Sequence, residues 1–390
     1  MKQGWEIRKL DNIIDSNVIG LTKNSSEQNI HHEFKYVKMN NITKDNCFDL
    51  SKYTCVNAEK SEIEKYRLSN DDFLFNTRNS YELVGKTCLF KSLDNEVILY
   101  NNNIMRIRFL KLINPYFINY AFSTDDVINK LDRIKSGTTN VSAIYYKDLR
   151  NLEIPLPPLP EQKRIVAILD EAFAAIAQAK ANAEQNLKNA KELFESYLQS
   201  VFENKGDGWE EVKFEDCFKL KSGDGLISKN MCNDGDYPVF GGNGIAGLHN
   251  KFNLSGSNVI IGRVGALCGN VRHITENIWL TDNAFRIVNF KFDFDYSFLT
   301  YLLNLKNLRS FARQAAQPVI SNSSLKDVVL EFPKSIQEQQ AIVQKLDALS
   351  AETKQLEAIY QQKINDLDEL KKSILQKAFT GELNTTALEV

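Results

Sequence analysis

The chain has 390 residues, 43% of them hydrophobic and 25% charged, with 48 basic against 50 acidic side chains and a formal net charge of −2. That is ordinary globular usage at a length that suits two to four domains, and it excludes a histone-like blanket of positive charge. The opening MKQGWEIRKLDNIID lacks an apolar signal region, no apolar run approaches 18 residues, and six scattered cysteines (47, 55, 88, 217, 232 and 268) form no Cys-x-x-Cys pair. The expectation is a cytoplasmic protein with free thiols and without a membrane span, zinc ribbon or disulfide scaffold.

From the N-terminus the chain reads as mixed α and β. Strand candidates at 73–75 and 97–99 are separated by Asn- and Gly-rich turns, and a helix is expected over 115–132. Four of the eight prolines then fall in Pro155-Leu156-Pro157-Pro158-Leu159-Pro160, a stiff run that cannot be helix interior. From Glu161 no Gly or Pro appears until Gly206, and Leu169, Phe173, Ile176, Ala183, Leu187, Ala190, Phe194, Tyr197 and Val201 recur at steps of three, four and seven. Lys180 is the one polar residue on that seam. A heptad pattern of this length predicts a helix that pairs with another, a rod of roughly 60 Å at 1.5 Å per residue. Strand candidates follow at 259–261 and 284–288, then a helix over 295–314. A second heptad segment carries Leu346, Leu349, Leu356, Tyr360, Ile364, Leu367 and Ile374, ending near Gly381.

The chain is written twice. Gly4-Trp5-Glu6 returns as Gly208-Trp209-Glu210, and residues 161–202 align without a gap on 338–379 with 16 of 42 positions identical. Asn103–Ile107 (NIMRI) matches Asn283–Ile287 (NAFRI), and Phe117-x-x-Tyr120 matches Phe298-x-x-Tyr301. The layout is therefore a first globular region at 1–155, a central long helix at 156–205, a second globular region at 206–335, and a C-terminal long helix and tail at 336–390. The second globular region is the shorter by 27 residues, counted from Trp to the Glu that opens each helix. Segment charges of +2, −1, 0 and −3 leave little bulk attraction for a polyanion, so DNA binding would need local clusters or partner subunits.

Several strings imitate catalytic signatures and fail in context. Gly242-Asn243-Gly244-Ile245-Ala246-Gly247 fits G-x-G-x-x-G but is followed by no apolar-periodic helix, and a flexible loop is expected there. Gly85-Lys86-Thr87 resembles the end of a P-loop, yet Ser80 stands where its first glycine is required. Asn114-Pro115-Tyr116-Phe117 lacks the second proline of the tetrad with which adenine methyltransferases hold a flipped base. His31, His32, His249 and His273 have no metal-ligand spacing, and no Ser or Cys sits in a nucleophile elbow. The expectation is a chain with neither an active site nor a bound cofactor.

A duplicated reader joined by rods suits a long ligand of roughly two-fold character. Duplex DNA is one, since half-sites read from one face lie about 34 Å apart. Because the two readers differ in length and loops, each would read a different half-site.

The segments Leu156-Pro157-Pro158-Leu159-Pro160-Glu161-Gln162-Lys163-Arg164-Ile165-Val166 and Gly206-Asp207-Gly208-Trp209-Glu210 resemble the specificity subunit of type I restriction–modification enzymes. So do residues 72–86, Tyr237–Gly244 and Gln376–Leu383, in the order that family shows and over essentially the whole chain. The resemblance implies an α+β fold: two pseudo-repeated, mixed α/β target-recognition domains joined by two long helices in an antiparallel coiled coil. It implies double-stranded DNA as ligand, two methyltransferase subunits docked mainly on the helices, and separate restriction/translocase subunits. Methyl donor, ATP and Mg would all belong to those partners. Pro333-Lys334-Ser335-Ile336-Gln337 departs from the proline run, which predicts a looser approach to the second helix. The alternative is a non-catalytic coiled-coil scaffold carrying two ligand-binding modules, which would show no sequence-dependent affinity for DNA.

Reading bases calls for Arg, Lys, Asn and Gln on loops able to enter the major groove. In the first domain Asn76, Thr77, Arg78 and Asn79, with Lys86, follow a strand and precede a glycine. In the second, Arg263, Asn270 and Arg272 occupy the matching place, Arg263 aligning with Arg78, while Asn243 and His249 lie on the glycine-rich segment. Arg106 and Arg286 sit within strands and are expected to be structural.

Overall fold

A computed structural model describes residues 3–91, 96–313 and 318–383. It divides into two units, Met1–Asn182 with Lys363–Val390, and Ala183–Gln362. Each unit holds one globular module and part of each of two 45-residue helices, Leu159–Glu203 and Ile336–Thr380. Among the described residues no helix is long and apolar enough to cross a membrane.

The first unit is built on a four-stranded antiparallel sheet in the order Ile14–Ile19, Ile104–Phe109, Phe73–Asn76, Thr87–Leu89. Its inner strands are buried on both faces, which is why Phe73-Leu74-Phe75 reads as an unbroken apolar run, whereas Ile14–Ile19 alternates exposed and half-buried residues at the edge. A second sheet sets Phe34–Val37 between antiparallel Thr54–Val56 and parallel Ile98–Tyr100. The helix expected over 115–132 is two helices, Pro115–Ala121 and Asp125–Ile134. Thr124 ends the continuity, because its hydroxyl accepts from the Val127 N–H and caps the second helix.

The second unit repeats this plan. Its four-stranded sheet runs Lys219–Ser222, Ala284–Val288, Asn258–Gly262, Val271–Ile274, and its three-stranded sheet sets Tyr237–Gly241 between antiparallel Gly244–His249 and parallel Trp279–Leu280. The glycine-rich segment is therefore a strand of a tight hairpin, not a flexible loop. Gly244, at φ +98°, supplies the backbone conformation that such a turn needs. Over 295–314 the helix Tyr296–Leu305 is followed by a short 3₁₀ turn, Leu308–Phe311, and Gln314 lies outside the described residues.

The long helices pair antiparallel in each unit. In the first, the Lys180 ammonium meets the Asp368 carboxylate at 2.7 Å, Lys371 lies over the Phe173 ring, and Leu169 shares a core with Leu375 and Ala378. In the second, Leu346 is buried with Phe202 against Phe194, Tyr197 and Val201. Leu169, Ile176, Ala183 and Ala190, seven residues apart, are all buried, so the heptad seam is real. Lys180 sits at its edge and is half-exposed, so Lys180→Ala should cost less than about 1 kcal/mol. Leu169→Ala, at a fully buried position, should cost about 2–5 kcal/mol, and urea denaturation of the two variants separates these values.

Each module is locked to its helices by the same contacts. The strand Glu6–Lys9 pairs with Glu153–Leu156, as Trp209–Lys213 pairs with Val329–Pro333. Trp5 packs edge-on to Phe117 at 6.4 Å, and Phe117 meets Phe379; Trp209 packs edge-on to Phe298 at 6.4 Å, and Phe298 meets Phe202. Gln162, one residue inside the run Glu161–Phe202, is 1% exposed. Its Oε1 accepts from the Asn114 N–H at 2.8 Å, and its Nε2 donates to the Leu112 and Pro157 carbonyls. Gln339 does the same for the Asp295 N–H and the Asp293 and Pro333 carbonyls. The looser approach expected for the second helix is thus not found. The glutamine clamp is common to both helix starts, and where the second lacks the prolines Ser335 Oγ accepts from the Glu338 N–H to cap the first turn. Tyr120 donates to Asp170 and Tyr301 to Asp347, each at 2.6 Å. Burial, reinforced by the carboxylate partner, pushes both phenols above the ordinary tyrosine range, so each remains a donor at neutral pH.

Candidate nucleic-acid interface

At one end of the first unit's large sheet, the chain leaves the strand Phe73–Asn76 through Thr77 into the short strand Arg78–Asn79. This strand pairs with Ser142–Ala143, which pairs with Ser136–Gly137. The five residues singled out in this domain do converge here, with different duties. Asn76 is fully buried, and its amide donates to the Arg78 and Asn103 carbonyls at 3.0 Å each. Thr77 is half-buried, its N–H donating to the Asn103 carbonyl and its own carbonyl accepting from Ile144. Asn79 donates to Asn76 Oδ1 and accepts from the Ser80 N–H. The Lys86 ammonium is turned onto the Met39 and Ile42 carbonyls, and burial holds it below the ordinary lysine range. Arg78 is exposed. Four of these groups therefore shape the rim, and Arg78 is the one presented to solvent.

Sequence reading missed the hairpin beside it. Residues 136–141 are all exposed, and the turn Thr138-Thr139-Asn140-Val141 is held by the Thr138 N–H to the Val141 carbonyl and the Tyr81 N–H to the Thr139 carbonyl. Gly137, at φ +127°, lies where a Cβ would come within 2.3 Å of the Val141 oxygen. The signal was a Ser-Gly-Thr-Thr-Asn turn cluster next to a short apolar pair.

In the second unit Arg263 follows the strand Asn258–Gly262. Its N–H donates to the Asn283 carbonyl and its carbonyl accepts from Ile320, the two bonds that Thr77 makes with Asn103 and Ile144. Arg263 is thus the counterpart of Thr77, and Val264, bridged to Val319, is that of Arg78, bridged to Ala143. A one-residue slip in an extended segment turns the side chain to the other face. Accordingly Arg263 is half-buried, its guanidinium over the Phe285 ring at 5.2 Å, with Nε unpartnered. Asn243, at the hairpin turn, is exposed and accepts from the Leu267 N–H, while Asn270, half-buried, follows Gly269 as Lys86 follows Gly85. Arg272 reaches toward Gly244. His249 stands at the far end of the same strand, about 17 Å from the turn at 3.3 Å per residue, edge-on to Trp279 at 4.9 Å. It does not join the others. Arg106, as expected, is structural, donating to the Lys65 and Arg67 carbonyls.

Among the described residues no group of three or more His, Cys, Asp or Glu is placed to hold a metal, and the cysteines are unpaired. Two copies of one α/β module with differing polar rims, each clamped to the same pair of antiparallel helices, define a duplicated recognition protein. The family described as "Type I restriction modification DNA specificity domain" matches residues 2–189 and again 206–366. The putative type I restriction enzyme MjaX specificity subunit of Methanocaldococcus jannaschii is 26% identical over 98% of this chain and 94% of its own length. The EcoprrI specificity subunit of Escherichia coli is 30% identical over 50% of this chain and 52% of its own length. Among solved structures, the HsdS subunit of Thermoanaerobacter tengcongensis shares the fold, with a TM-score of 0.64 and 20% identity over 98% of both chains. A chain from a structure concerned with complex assembly and conformational transition of the type I R–M system does so at 0.76, with 20% identity over 98% of this chain and 99% of that one. The chain belongs to the type I restriction–modification DNA specificity family and carries its domain twice. Within such an assembly it is a non-catalytic subunit that selects the DNA sequence.

Proposed function

We propose that the chain reads an asymmetric, bipartite site on double-stranded DNA, residues 1–155 taking one half-site and 206–335 the other, while its helices carry two methyltransferase subunits and the restriction/translocase subunits join that core in the cytoplasm. Methyl donor, ATP and Mg belong to those partners, and the methyltransferases flip the target adenines. The observation that carries the reading is the recurrence of one sheet and one glutamine clamp in both units, with different residues on the two rims. The test is co-expression with the methyltransferase subunits and sequencing of methylated adenines in host DNA. A split, asymmetric motif that disappears without this chain is expected; methylation indifferent to its presence would refute the reading.

Base and phosphate contacts are assigned to Arg78, Thr77 and Asn79 on the first rim and to Asn243, Asn270 and Arg263 on the second, with Asn76 and Lys86 supporting the first loop; Arg272, on the wall of a neighbouring cavity, and His249, at the far end of its strand, are left out of the readers. Arg78→Ala should cost about 1–3 kcal/mol of affinity and relax one position of one half-site only. A motif unchanged at every position in the Arg78→Ala methylome would remove Arg78 from the readers.

A further inference from the structure

The two modules differ most in one connection. In the first, the antiparallel strands Phe34–Val37 and Thr54–Val56 are joined by residues 38–53. In the second, the corresponding strands Tyr237–Gly241 and Gly244–His249 are joined by Gly242 and Asn243 alone. In the first unit the long connection is packed down on its own module. Phe48 meets Phe90 edge-on at 5.2 Å, Asn119 donates to the Asn46 carbonyl at 3.2 Å, and Asn46 donates to Ser123. The strand registers place Ile274 at the position of Phe90 and Arg272 at that of Cys88, and the match of Phe117 with Phe298 places Thr300 at that of Asn119.

With no connection to cover them, those residues in the second unit line an open cavity of about 700 Å³. Phe240 and Ile274 form an apolar floor, and Ile245, 64% exposed, stands at the mouth. Arg272 lies on the wall without a hydrogen-bond or ion-pair partner among the described residues, whereas Asp347, the wall's carboxylate, is engaged by Tyr301. Asp347 belongs to the second long helix, so the cavity opens beside the helical surface assigned above to the methyltransferase subunits.

We infer that this cavity receives a polypeptide segment of a methyltransferase subunit, an apolar side chain over Phe240 and Ile274 with a carboxylate on Arg272, supplying in trans what residues 38–53 supply in cis to the first module. The inference rests on the reading that such subunits dock on this chain. The equivalent space in the first module is filled by polypeptide. A DNA backbone would satisfy Arg272 but gain nothing from the apolar floor or from burying Ile245. The consequence is asymmetry: the first module completes itself, and the second is completed by its partner.

The test replaces Ile245 by the photo-reactive benzoyl-phenylalanine in the complex with methyltransferase subunits and DNA. A crosslink to a methyltransferase subunit is expected; a crosslink to DNA, or none, overturns the inference. Arg272→Glu should weaken assembly with the methyltransferase, measured without DNA, at least tenfold. Unchanged assembly, or a loss of DNA affinity with a salt slope lower by about one while assembly is intact, overturns it as well. A complex that assembles and crosslinks as expected but methylates no split motif would instead sink the sequence-reading function and leave this contact standing.

Discussion

Gln162→Leu is expected to destabilise the first unit by about 3–5 kcal/mol. The substitution fills the same space with a side chain that cannot hydrogen-bond, so the Asn114 N–H and the Leu112 and Pro157 carbonyls lose their shared partner in a site where Gln162 is 1% exposed. Each buried polar group left unmade costs about 1–3 kcal/mol, and partial relaxation keeps the total below the simple sum. The effect reaches further than one residue, because Asn114 is the cap of the helix Pro115–Ala121, its side chain accepting from the Tyr116 and Phe117 N–H groups. Helix start, cap and the beginning of the long helix are tied at one point. Gln162→Glu separates the contributions: held neutral by burial beside two carbonyls, its carboxyl keeps an acceptor for Asn114 and one donor where the amide had two. Urea titration of the three proteins gives the order wild type, Glu, Leu in falling midpoint, and a Leu variant within 1 kcal/mol of wild type would refute the clamp.

That clamp also marks what was legible in the sequence. The repeat made the Glu-Gln pairs at 161–162 and 338–339 visible, its aligned segments 161–202 and 338–379 ending within two residues of the observed helices, and heptad spacing marked the stripe each helix buries. Periodicity carries this information because a helix buries one stripe wherever it lies. It says nothing of what a buried glutamine bonds to, since two of its three partners are backbone groups 44 to 50 residues away whose side chains are unrelated. The strand cores at 73–75 and 259–261 were visible as apolar runs, but the four-stranded order joining them to distant edges was not, because pairing partners leave no local pattern. The rim was hardest. Arg78 and Arg263 look equivalent in the sequence, both just past an apolar strand, yet stand one residue apart in register, one exposed and the other laid over Phe285. A slip of one residue is invisible to composition and decisive for an extended chain, whose neighbouring side chains face opposite ways. The shortened connection at 242–243 shows the converse. A length difference was evident, but only the packing of residues 38–53 on Phe90 and Asn119 says which surface the second module lacks.

Removing one heptad from the first long helix, residues 180–186, together with its mate on the second, is expected to shorten the spacer between the two half-sites. Seven residues of α-helix rise about 10.5 Å, and duplex DNA rises about 3.4 Å per base pair, so the shift should be about three base pairs. A whole heptad is the appropriate unit, because seven residues nearly complete two turns and return the apolar seam to the same face, whereas three or four would rotate the helix against its partner. The segment suits the operation: within it Ala183 alone continues the buried series Leu169, Ile176, Ala183, Ala190, so the deletion keeps seven-residue spacing between the buried residues that remain. The lost Lys180–Asp368 contact is half-exposed and contributes little. The bases of each half-site should stay as they were, because the sheets and glutamine clamps that present the two rims are untouched. Adenine-methylation sequencing of the deletion complex reads both quantities at once. A shorter gap with unchanged half-sites supports helices that act as a ruler; an unchanged gap with active methylation would show that some other element sets the spacing.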